Sequence, residues 1–448
     1  STGHKFKLRA ATEESTLKNP KTTLPDPGIE PRTSRSEVTI SDNNYLELQQ
    51  CVKDIIKKEG YLSYNVIKKV FTPDGGSYLG ILCEVNIKGR TTKEEKETNI
   101  FMKIITPDIQ MTIISLPDAY KRELFFYEEL SMIFAELQNE VCLPIEERYR
   151  TVKNYDESNP NVIILENMSK RGFKTNFRMD VITLQYAEMA IQELAKFHAL
   201  SFALESKRPK YFERKIKTIN TTFSFDKDWD GFVQNMCQIT FNYLDKDSRR
   251  KLEDFVSSFN EKYRNYLESN TGRHCLRHGD YRPNNILVKE TNGKITEMIP
   301  IDYQLMCYGC PILDFLYFIF PSTDQKFRRA HLSHLKELYY NTLQKMLKYF
   351  SLDAEIVYAK KDFEKDYKEM LDYGLMVSIH IVPFLMACEN DIPDVTKEPL
   401  SVPRYGPIPK NLRNDGNNTW LSASLRVFLH PIFTVTKGRF FNRQITAI

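Results

Sequence analysis

The motif that most constrains this chain is His278-Gly279-Asp280, which is followed by Asn285 and, after a short hairpin, by Asp302. The hairpin turn contains an Asn-Gly pair, which accepts positive φ, and the β-rich runs on both sides predict two strands. In a loop of the form H-x-D-x-x-x-x-N, the aspartate accepts the proton of an attacking hydroxyl, and the asparagine and the second aspartate hold magnesium. The motif therefore predicts phosphoryl transfer from ATP, with Asp280 as base and Asn285 and Asp302 as Mg²⁺ ligands.

This chemistry also needs a lysine for the phosphates and a glutamate to pair with it. Lys103 lies inside an apolar, strand-like run, where an ammonium group requires a partner. The next helical pattern, 118–137, places Glu123 on its first turns. Glu123 is therefore the predicted partner of Lys103. Glu128 and Glu129, on the same helix, remain alternatives.

Two further segments are candidates for nucleotide binding. Gly75 and Gly76 lie in a turn between predicted strands, and glycine lets the backbone approach phosphates. An ordinary Gly-Gly hairpin explains this turn equally well, because no complete G-x-G-x-x-G is present. Glu166, Asn167 and Met168 end another apolar strand, where a kinase has the connector between lobes whose backbone reads adenine.

Taken together, these blocks resemble the ecdysteroid kinase-like, or CHK kinase-like, family, which is related to choline kinases and aminoglycoside phosphotransferases. The similarity covers about residues 43–440. It is carried by the segments Cys275–Leu287, Ile301–Gln304, Pro311–Phe318, Leu194–Ser201 and Tyr120–Tyr127.

The resemblance implies an α+β, two-lobed protein-kinase-like fold with a small antiparallel-sheet N-lobe and a mostly helical C-lobe. It also implies ATP and Mg²⁺ as cofactors and a small-molecule hydroxyl acceptor, an ecdysteroid or a foreign compound. Asp314 matches a family aspartate that buttresses the catalytic loop. We expect the N-lobe at 43–166 and the C-lobe, with the acceptor site, at 167–448. Residues 1–42 have few large apolar side chains and no periodicity, which predicts disorder.

The chain departs from the family pattern directly after the base. Tyr281 and Arg282 stand where the family usually has Leu-Trp, so we expect both to contact the acceptor, with Arg282 either favouring an anionic one or simply solvated. Only eleven residues separate Asp302 from Asp314, too few for the activation segment on which a protein kinase holds a peptide. The acceptor is therefore predicted to be small.

Two histidines are predicted to be structural rather than catalytic. His198 lies on an apolar helical face, where histidine is usually a packed, hydrogen-bonded group. His278 is predicted to orient the loop, because Asp280 already fills the position of the proton acceptor.

Composition limits the remaining possibilities. A net charge of +4, from 63 basic and 59 acidic residues, gives no reason to expect a nucleic-acid partner. Eight cysteines scattered through 448 residues are typical of a reducing compartment, where they pack as small apolar groups. There is no signal peptide and no run of about eighteen apolar residues. We therefore expect a cytoplasmic monomer with no membrane partner.

Several functions remain open on the sequence. The aromatic residues of the helical lobe suit an apolar ring acceptor such as a steroid, but a choline or aminoglycoside type of acceptor is an alternative. A nucleotide-binding pseudokinase that acts as an interaction protein is a second alternative. A metal-dependent hydrolase is disfavoured, because no further carboxylate or histidine cluster accompanies the motif.

Overall fold

The computed structural model describes residues 11–15, 42–71, 80–105, 112–176, 182–241, 246–269 and 272–386. These residues form two compact units. The first lies within residues 1–109 and 153–171, and the second within 110–152 and 172–448. The predicted nucleotide contacts Gly75 and Gly76 lie outside the described residues.

The first unit is a five-stranded antiparallel sheet with one helix. Its elements are β1 Ala11–Ser15, α1 Asp42–Lys58, β2 Tyr61–Phe71, β3 Ile81–Thr91, β4 Glu95–Ile104 and β5 Val162–Glu166. The strand order is β1-β2-β3-β4-β5. Every second residue of β3 from Ile81 to Ile87 is buried, as expected for a sheet with one face on a core. That core includes the apolar face of α1, with Leu48, Val52 and Ile55.

Strand β1 differs from the sequence-based expectation of disorder for residues 1–42. Ala11 to Ser15 pair antiparallel with Val66 to Val70 at the edge of the sheet. The physical reason is that an edge strand offers unpaired backbone N–H and C=O groups, which accept a partner whatever its side chains. The hydrophobic pattern of Ala-Thr-Glu-Glu-Ser therefore carries no signal for this pairing.

The second unit is mostly helical and carries two small sheets. Its helices are α2 Leu116–Phe125, α3 Ser131–Glu140, α4 Leu184–Lys207, α5 Pro209–Tyr211, α6 Lys227–Phe241, α7 Lys246–Val256, α8 Phe259–Glu268, α9 Ile312–Ser322, α10 Gln325–Tyr349, α11 Ala354–Val357, α12 Lys360–Glu369 and α13 Leu371–Met386. Its strands are β6 Phe173–Thr175, β7 Cys275–Arg277, β8 Ile286–Thr291, β9 Lys294–Pro300 and β10 Cys307–Gly309. Across the described ranges, no helix combines the length and apolar character needed to cross a bilayer.

The helix predicted over 118–137 needs correction in detail. It runs from α2 to α3 but contains a π-helical turn at Phe126–Leu130. Helical apolar periodicity in the sequence also continues through 232–268, but that stretch contains parts of three helices, α6 to α8, and the pair Ser257-Ser258 separates the last two. It continues through 364–387 as well, where the structure is divided near Met370 into α12 and α13. Apolar periodicity continues across such short breaks, so it does not reveal them.

The two small sheets position the motif residues. Strand β7 pairs antiparallel with β10, and β8 pairs with β9 as the predicted hairpin, with β6 on its outer edge. The chain is thus α+β, with an antiparallel-sheet N-terminal unit and a helical C-terminal unit, as predicted. The predicted boundary near residue 166 stays a prediction, and residues 110–152 pack with the helical unit.

Candidate active site

The HGD loop, residues 278–285, bends sharply at Gly279, where φ is +80°. A side chain at Gly279 would collide with the backbone carbonyl of Leu305. Glycine is required there both for the left-handed conformation and for this close approach. Asp302 also has a positive φ of 70°, and such backbone conformations concentrate at functional sites. A positive φ therefore occurs in both backbone segments of the candidate site, at Gly279 and at Asp302.

Three donors converge on the carboxylate of Asp280, which is only 4% exposed. Its Oδ1 accepts hydrogen bonds from Tyr317 Oη at 2.6 Å and from Arg282 Nε at 2.9 Å. Its Oδ2 accepts one from Asn285 Nδ2 at 2.8 Å. An ionised carboxylate only accepts hydrogen bonds, so this environment fits the charged form. The orientation of the carboxylate is fixed from both sides.

Asn285 joins the HGD loop to the segment after β9 that carries Asp302. Its Nδ2 also donates to the backbone carbonyl of Asp280 at 2.9 Å. Its own carbonyl accepts from the amide of Ile301 at 2.9 Å. Because Nδ2 faces Asp280, the side-chain oxygen of Asn285 is the atom that remains for a cation.

His278 makes a second connection between the same two segments. Its Nε2 donates to the carbonyl of Ile301 at 3.1 Å, and its Nδ1 accepts from the amide of Asp280 at 3.4 Å. Burial lowers the pKa of His278, although nearby carboxylates oppose the shift, so the neutral tautomer with a proton on Nε2 fits both bonds. The predicted orienting role of His278 is confirmed.

Asp314, at the start of α9, supports the loop from behind. Its two oxygens accept from the amides of His278 at 2.6 Å and Gly279 at 3.2 Å, and from Arg277 Nε at 3.3 Å. Burial alone would raise the pKa of Asp314, but the positive charge of Arg277 and the hydrogen bond from His198 lower it well below its usual range. Its predicted role as a buttress is confirmed.

His198 extends this support into the helical core. Its Nδ1 accepts from the hydroxyl of Tyr339 at 2.7 Å, and its Nε2 donates to Asp314 at 3.3 Å. Burial lowers the pKa of His198, which keeps the ring neutral. His198 is thus the packed, hydrogen-bonded group that the sequence predicts.

Tyr303, directly after Asp302, is held in place by two aromatic residues. Its ring stacks on Phe126 with centroids 3.3 Å apart, and its hydroxyl bonds that of Tyr149 at 2.6 Å. Nearby, Arg122 Nη1 donates to the carbonyl of Met306 at 3.0 Å. The helical stretch that carries Glu123 is therefore packed against the segment that follows Asp302.

Burial distinguishes the three glutamates on this stretch. Glu123 is 2% exposed, whereas Glu128 is exposed and Glu129 is partly exposed, with Lys215 3.7 Å away. A buried carboxylate needs a cationic or hydrogen-bonding partner more than an exposed one does. Glu123 is thus the most buried of the three, and its assignment as the partner of Lys103 stays a prediction.

In the first unit, Lys103 lies on β4, an inner strand between β3 and β5. It is opposite Leu82 of β3 and Ile163 of β5, and it is only 8% exposed. A buried ammonium among apolar strands is expensive unless it has a function or a partner. Lys103 and Glu123 belong to different units, so their ion pair stays a prediction.

The predicted connector residues follow β5. Asn167 is 5% exposed, and its side chain accepts from the amide of Ser169 in a tight turn. Glu166 is half-buried and lies 3.5 Å from Arg171, and Met168 is buried. Their side chains serve local structure, so any contact with a nucleotide base would come from the backbone.

With this geometry known, sequence comparison identifies the family. The profile of the ecdysteroid kinase-like family matches residues 74–352. The chain belongs to the ecdysteroid kinase-like family. The match includes the HGD loop, Asp302 and Asp314, so the family resemblance stated from the sequence is confirmed. A comparison with curated proteins finds none that matches.

Three solved structures that are similar to this family member are distant from it in sequence. Choline kinase LicA from Streptococcus pneumoniae is 14% identical, with 75% of this chain and 98% of that chain covered and a TM-score of 0.33. An ethanolamine kinase from Plasmodium vivax is 13% identical, with coverages of 78% and 92% and a TM-score of 0.38. A glucosamine kinase in complex with glucosamine, ADP and inorganic phosphate is 11% identical, with coverages of 78% and 84% and a TM-score of 0.33. At such scores, the substrates of those proteins are properties of those proteins alone.

Two expectations drawn from the family's departures are wrong. Tyr281 was expected at the acceptor, but it is 1% exposed and its hydroxyl donates to the carbonyl of Ala190 at 2.6 Å. Arg282 is not a solvated side chain either, because it is bound to Asp280. A tyrosine directly after the base is thus used to anchor the loop to α4.

Sequence reasoning missed Tyr317, the closest side-chain donor to the candidate base. Its signal was present in the spacing, because Tyr317 follows Asp314 by three residues on α9 and so lies on the same helical face. A tyrosine on the face that already carries the buttressing aspartate was the available clue.

Proposed function

We propose that this protein transfers the γ-phosphoryl group of ATP to a hydroxyl group of a small organic molecule. The observation that supports this most directly is the carboxylate of Asp280, which is buried, held by three donors and tied through Asn285 to the segment that carries Asp302. Phosphoryl transfer depends mainly on positioning and on electrostatic stabilisation, so a rigid arrangement of this kind is what it requires.

In this proposal, Asp280 accepts the proton of the acceptor's hydroxyl. Its ionised carboxylate is held by Tyr317 and Arg282. The charge of Arg282 is already engaged by the base, so an anionic acceptor is not needed to account for that arginine. His278 and Asp314 fix the backbone on which the base stands.

The residues at the metal position fit Mg²⁺. The side-chain oxygen of Asn285 and the carboxylate of Asp302 are hard oxygen ligands, and Mg²⁺ is usually held by one or two protein groups together with phosphates. When bound, the ion would neutralise charge on the β- and γ-phosphates.

The remaining nucleotide contacts are proposed from the first unit. Lys103 would bind phosphate oxygens, with Glu123 as its ionic partner. Gly75 and Gly76 would contribute backbone contacts to the phosphates, and backbone groups of 166–168 would bind the adenine edge.

The proposed acceptor is a small molecule, and an ecdysteroid-like steroid is the first class to test. Between Asp302 and Asp314, Tyr303 is buried, Met306 is held by Arg122, and residues 307–309 form β10. This short stretch is fully used in packing and cannot also align a peptide.

One observation favours a second candidate, a nucleotide-binding protein without transfer. The ion pair of Arg282 with Asp280 engages one oxygen of the base. A pseudokinase of this kind would bind nucleotide and partners while leaving phosphate in place.

The test is magnesium-dependent transfer of labelled γ-phosphate from ATP to a panel of ecdysteroids, other sterols, phenolics, choline and aminoglycosides. Asp280→Asn should lose at least about 100-fold in rate, because general-base catalysis typically contributes that much. Asp366→Asn is the matched control, since Asp366 is also a buried carboxylate bonded to a tyrosine, Tyr358, at 2.8 Å. Undiminished transfer by Asp280→Asn would refute the mechanism, and nucleotide binding without any transfer by the parent would favour the second candidate.

A further inference from the structure

The carboxylate of Asp280 has an unequal set of donors on its two oxygens. Oδ1 accepts from Tyr317 and Arg282, whereas Oδ2 accepts from Asn285. A carboxylate offers about four lone-pair sites, two on each oxygen. Both sites of Oδ1 are therefore occupied by protein donors, and one site of Oδ2 remains.

We propose that Tyr317 is a positioning residue for phosphoryl transfer, which fixes the carboxylate so that Oδ2 of Asp280 receives the acceptor's proton. This inference rests on the proposed function and refines it to a single atom. In the step, the acceptor's oxygen forms a bond to the γ-phosphorus while the bond from that phosphorus to the β,γ-bridging oxygen breaks. The hydroxyl proton passes to Oδ2 of Asp280, ADP leaves, and the proton is later released to water.

Tyr317 is suited to this role because it cannot act as an anion. Burial is the main cause that raises the pKa of its hydroxyl well above the usual value, and the charge of Asp280 adds to the effect. Tyr317 is 5% exposed and remains a donor at all working pH values. Its 2.6 Å distance is that of a charge-assisted O–H···O⁻ bond, the stronger class of hydrogen bond.

Arg282 alone does not constrain the carboxylate equally well. The terminal torsion of an aspartate is broad and nearly two-fold, so a carboxylate with fewer donors rotates easily. Tyr317 comes from α9, whereas Arg282 and Asn285 come from the HGD loop itself. Donors from two separate elements fix the plane of the group, which donors from the HGD loop alone would not.

Tyr317→Phe tests the proposal, because it removes the hydroxyl and keeps the ring. Tyr358→Phe is the matched control, because Tyr358 is also buried and donates to a carboxylate, that of Asp366, within the same unit. Steady-state kinetics with saturating Mg²⁺ and thermal unfolding are measured for the parent and both variants.

Tyr317→Phe should lower kcat by about 10- to 100-fold with KM for ATP changed by less than about twofold, as misplacement of a catalytic group costs rate rather than binding. Tyr358→Phe should lose a similar amount of thermal stability and keep its kcat. A kcat for Tyr317→Phe within about twofold of the parent, or an equal loss in both variants, would overturn the proposal.

A parent protein that transfers phosphate to no acceptor would refute the proposed function rather than this inference. The positioning role would then be decided by crystal structures of the parent and Tyr317→Phe. A rotated or disordered carboxylate of Asp280 in the variant supports it, and an unchanged carboxylate plane refutes it.

Discussion

Replacing Asp314 with asparagine should destabilise the helical unit by about 3–5 kcal/mol, the usual cost of breaking a buried ion pair from one side. Asp314 is fully buried, and its charge faces Arg277, whose side chain is 2% exposed. In the variant, the guanidinium stays buried without a counter-charge. The amide of asparagine can still accept from one or two of the backbone donors at His278 and Gly279, so we add no separate cost for those bonds.

Urea unfolding followed by far-UV circular dichroism measures this effect. With an m value of about 3 kcal/mol/M, the midpoint should fall by about 1–2 M. Arg277→Met and the double variant complete a double-mutant cycle. The double variant should lose about 2 kcal/mol less unfolding free energy than the two single losses added together. A loss below about 1 kcal/mol in Asp314→Asn, or strictly additive losses, would refute the charge argument.

The same pair sets the sign of a pH dependence. The pKa of Asp314 is lower in the folded protein than its ordinary value near 3.9. Its contribution to stability is therefore complete above that ordinary value and is lost as the pH falls below it toward the folded-state pKa. In Asp314→Asn, the free energy of unfolding should fall less steeply than in the parent as the pH is lowered through this range. A variant whose stability falls as steeply as that of the parent would contradict the assignment.

Three other substitutions give independent checks. Gly279→Ala should lower phosphate transfer by about 100-fold or more, because the new methyl would displace the HGD loop from Leu305, and a rate close to the parent's would argue against that crowding. Tyr303→Phe removes the 2.6 Å bond to Tyr149 and should cost about 1 kcal/mol in thermal unfolding; an unchanged melting temperature would mean the bond contributes nothing. Cys142 is the exposed thiol among the described cysteines, so Cys142→Ser should remove one thiol from the fast phase of reaction with Ellman's reagent, and an unchanged count would contradict its exposure.

The sequence predicted those parts of the site whose contacts are local. The hairpin that delivers Asp302 follows from its Asn-Gly turn, and the relation of Asn285 to Asp280 spans only five residues. Helical periodicity placed Glu123 on its helix. In these cases the residues that determine the conformation are close in the chain. The role of Asp314 was implied by the family resemblance instead, because its bonds to Gly279 and His278 join residues 35 and 36 apart.

The missed features depend on partners far away in the sequence. The bond of Tyr317 to Asp280 joins residues 37 apart, and that of Tyr281 to Ala190 joins residues 91 apart. Spacing on α9 places Tyr317 on the same helical face as Asp314, but no pattern within one element shows that its hydroxyl reaches Asp280. Strand β1 escaped prediction for a different reason, because its pairing uses backbone groups only.

The course of the chain through the first unit has a consequence for synthesis. Strand β4 pairs with β5, which places Lys103 opposite Ile163, so the sheet closes only after the intervening helices of the other unit have been made. Pairing β4 with β5 closes a long loop of chain, which has an entropic cost and slows folding. A single proteolytic cleavage between β4 and β5 would separate β5 from the other strands of its sheet. During synthesis on the ribosome, β4 therefore keeps one edge unpaired until β5 has been made. The nascent chain is most exposed to chaperones and proteases during that interval.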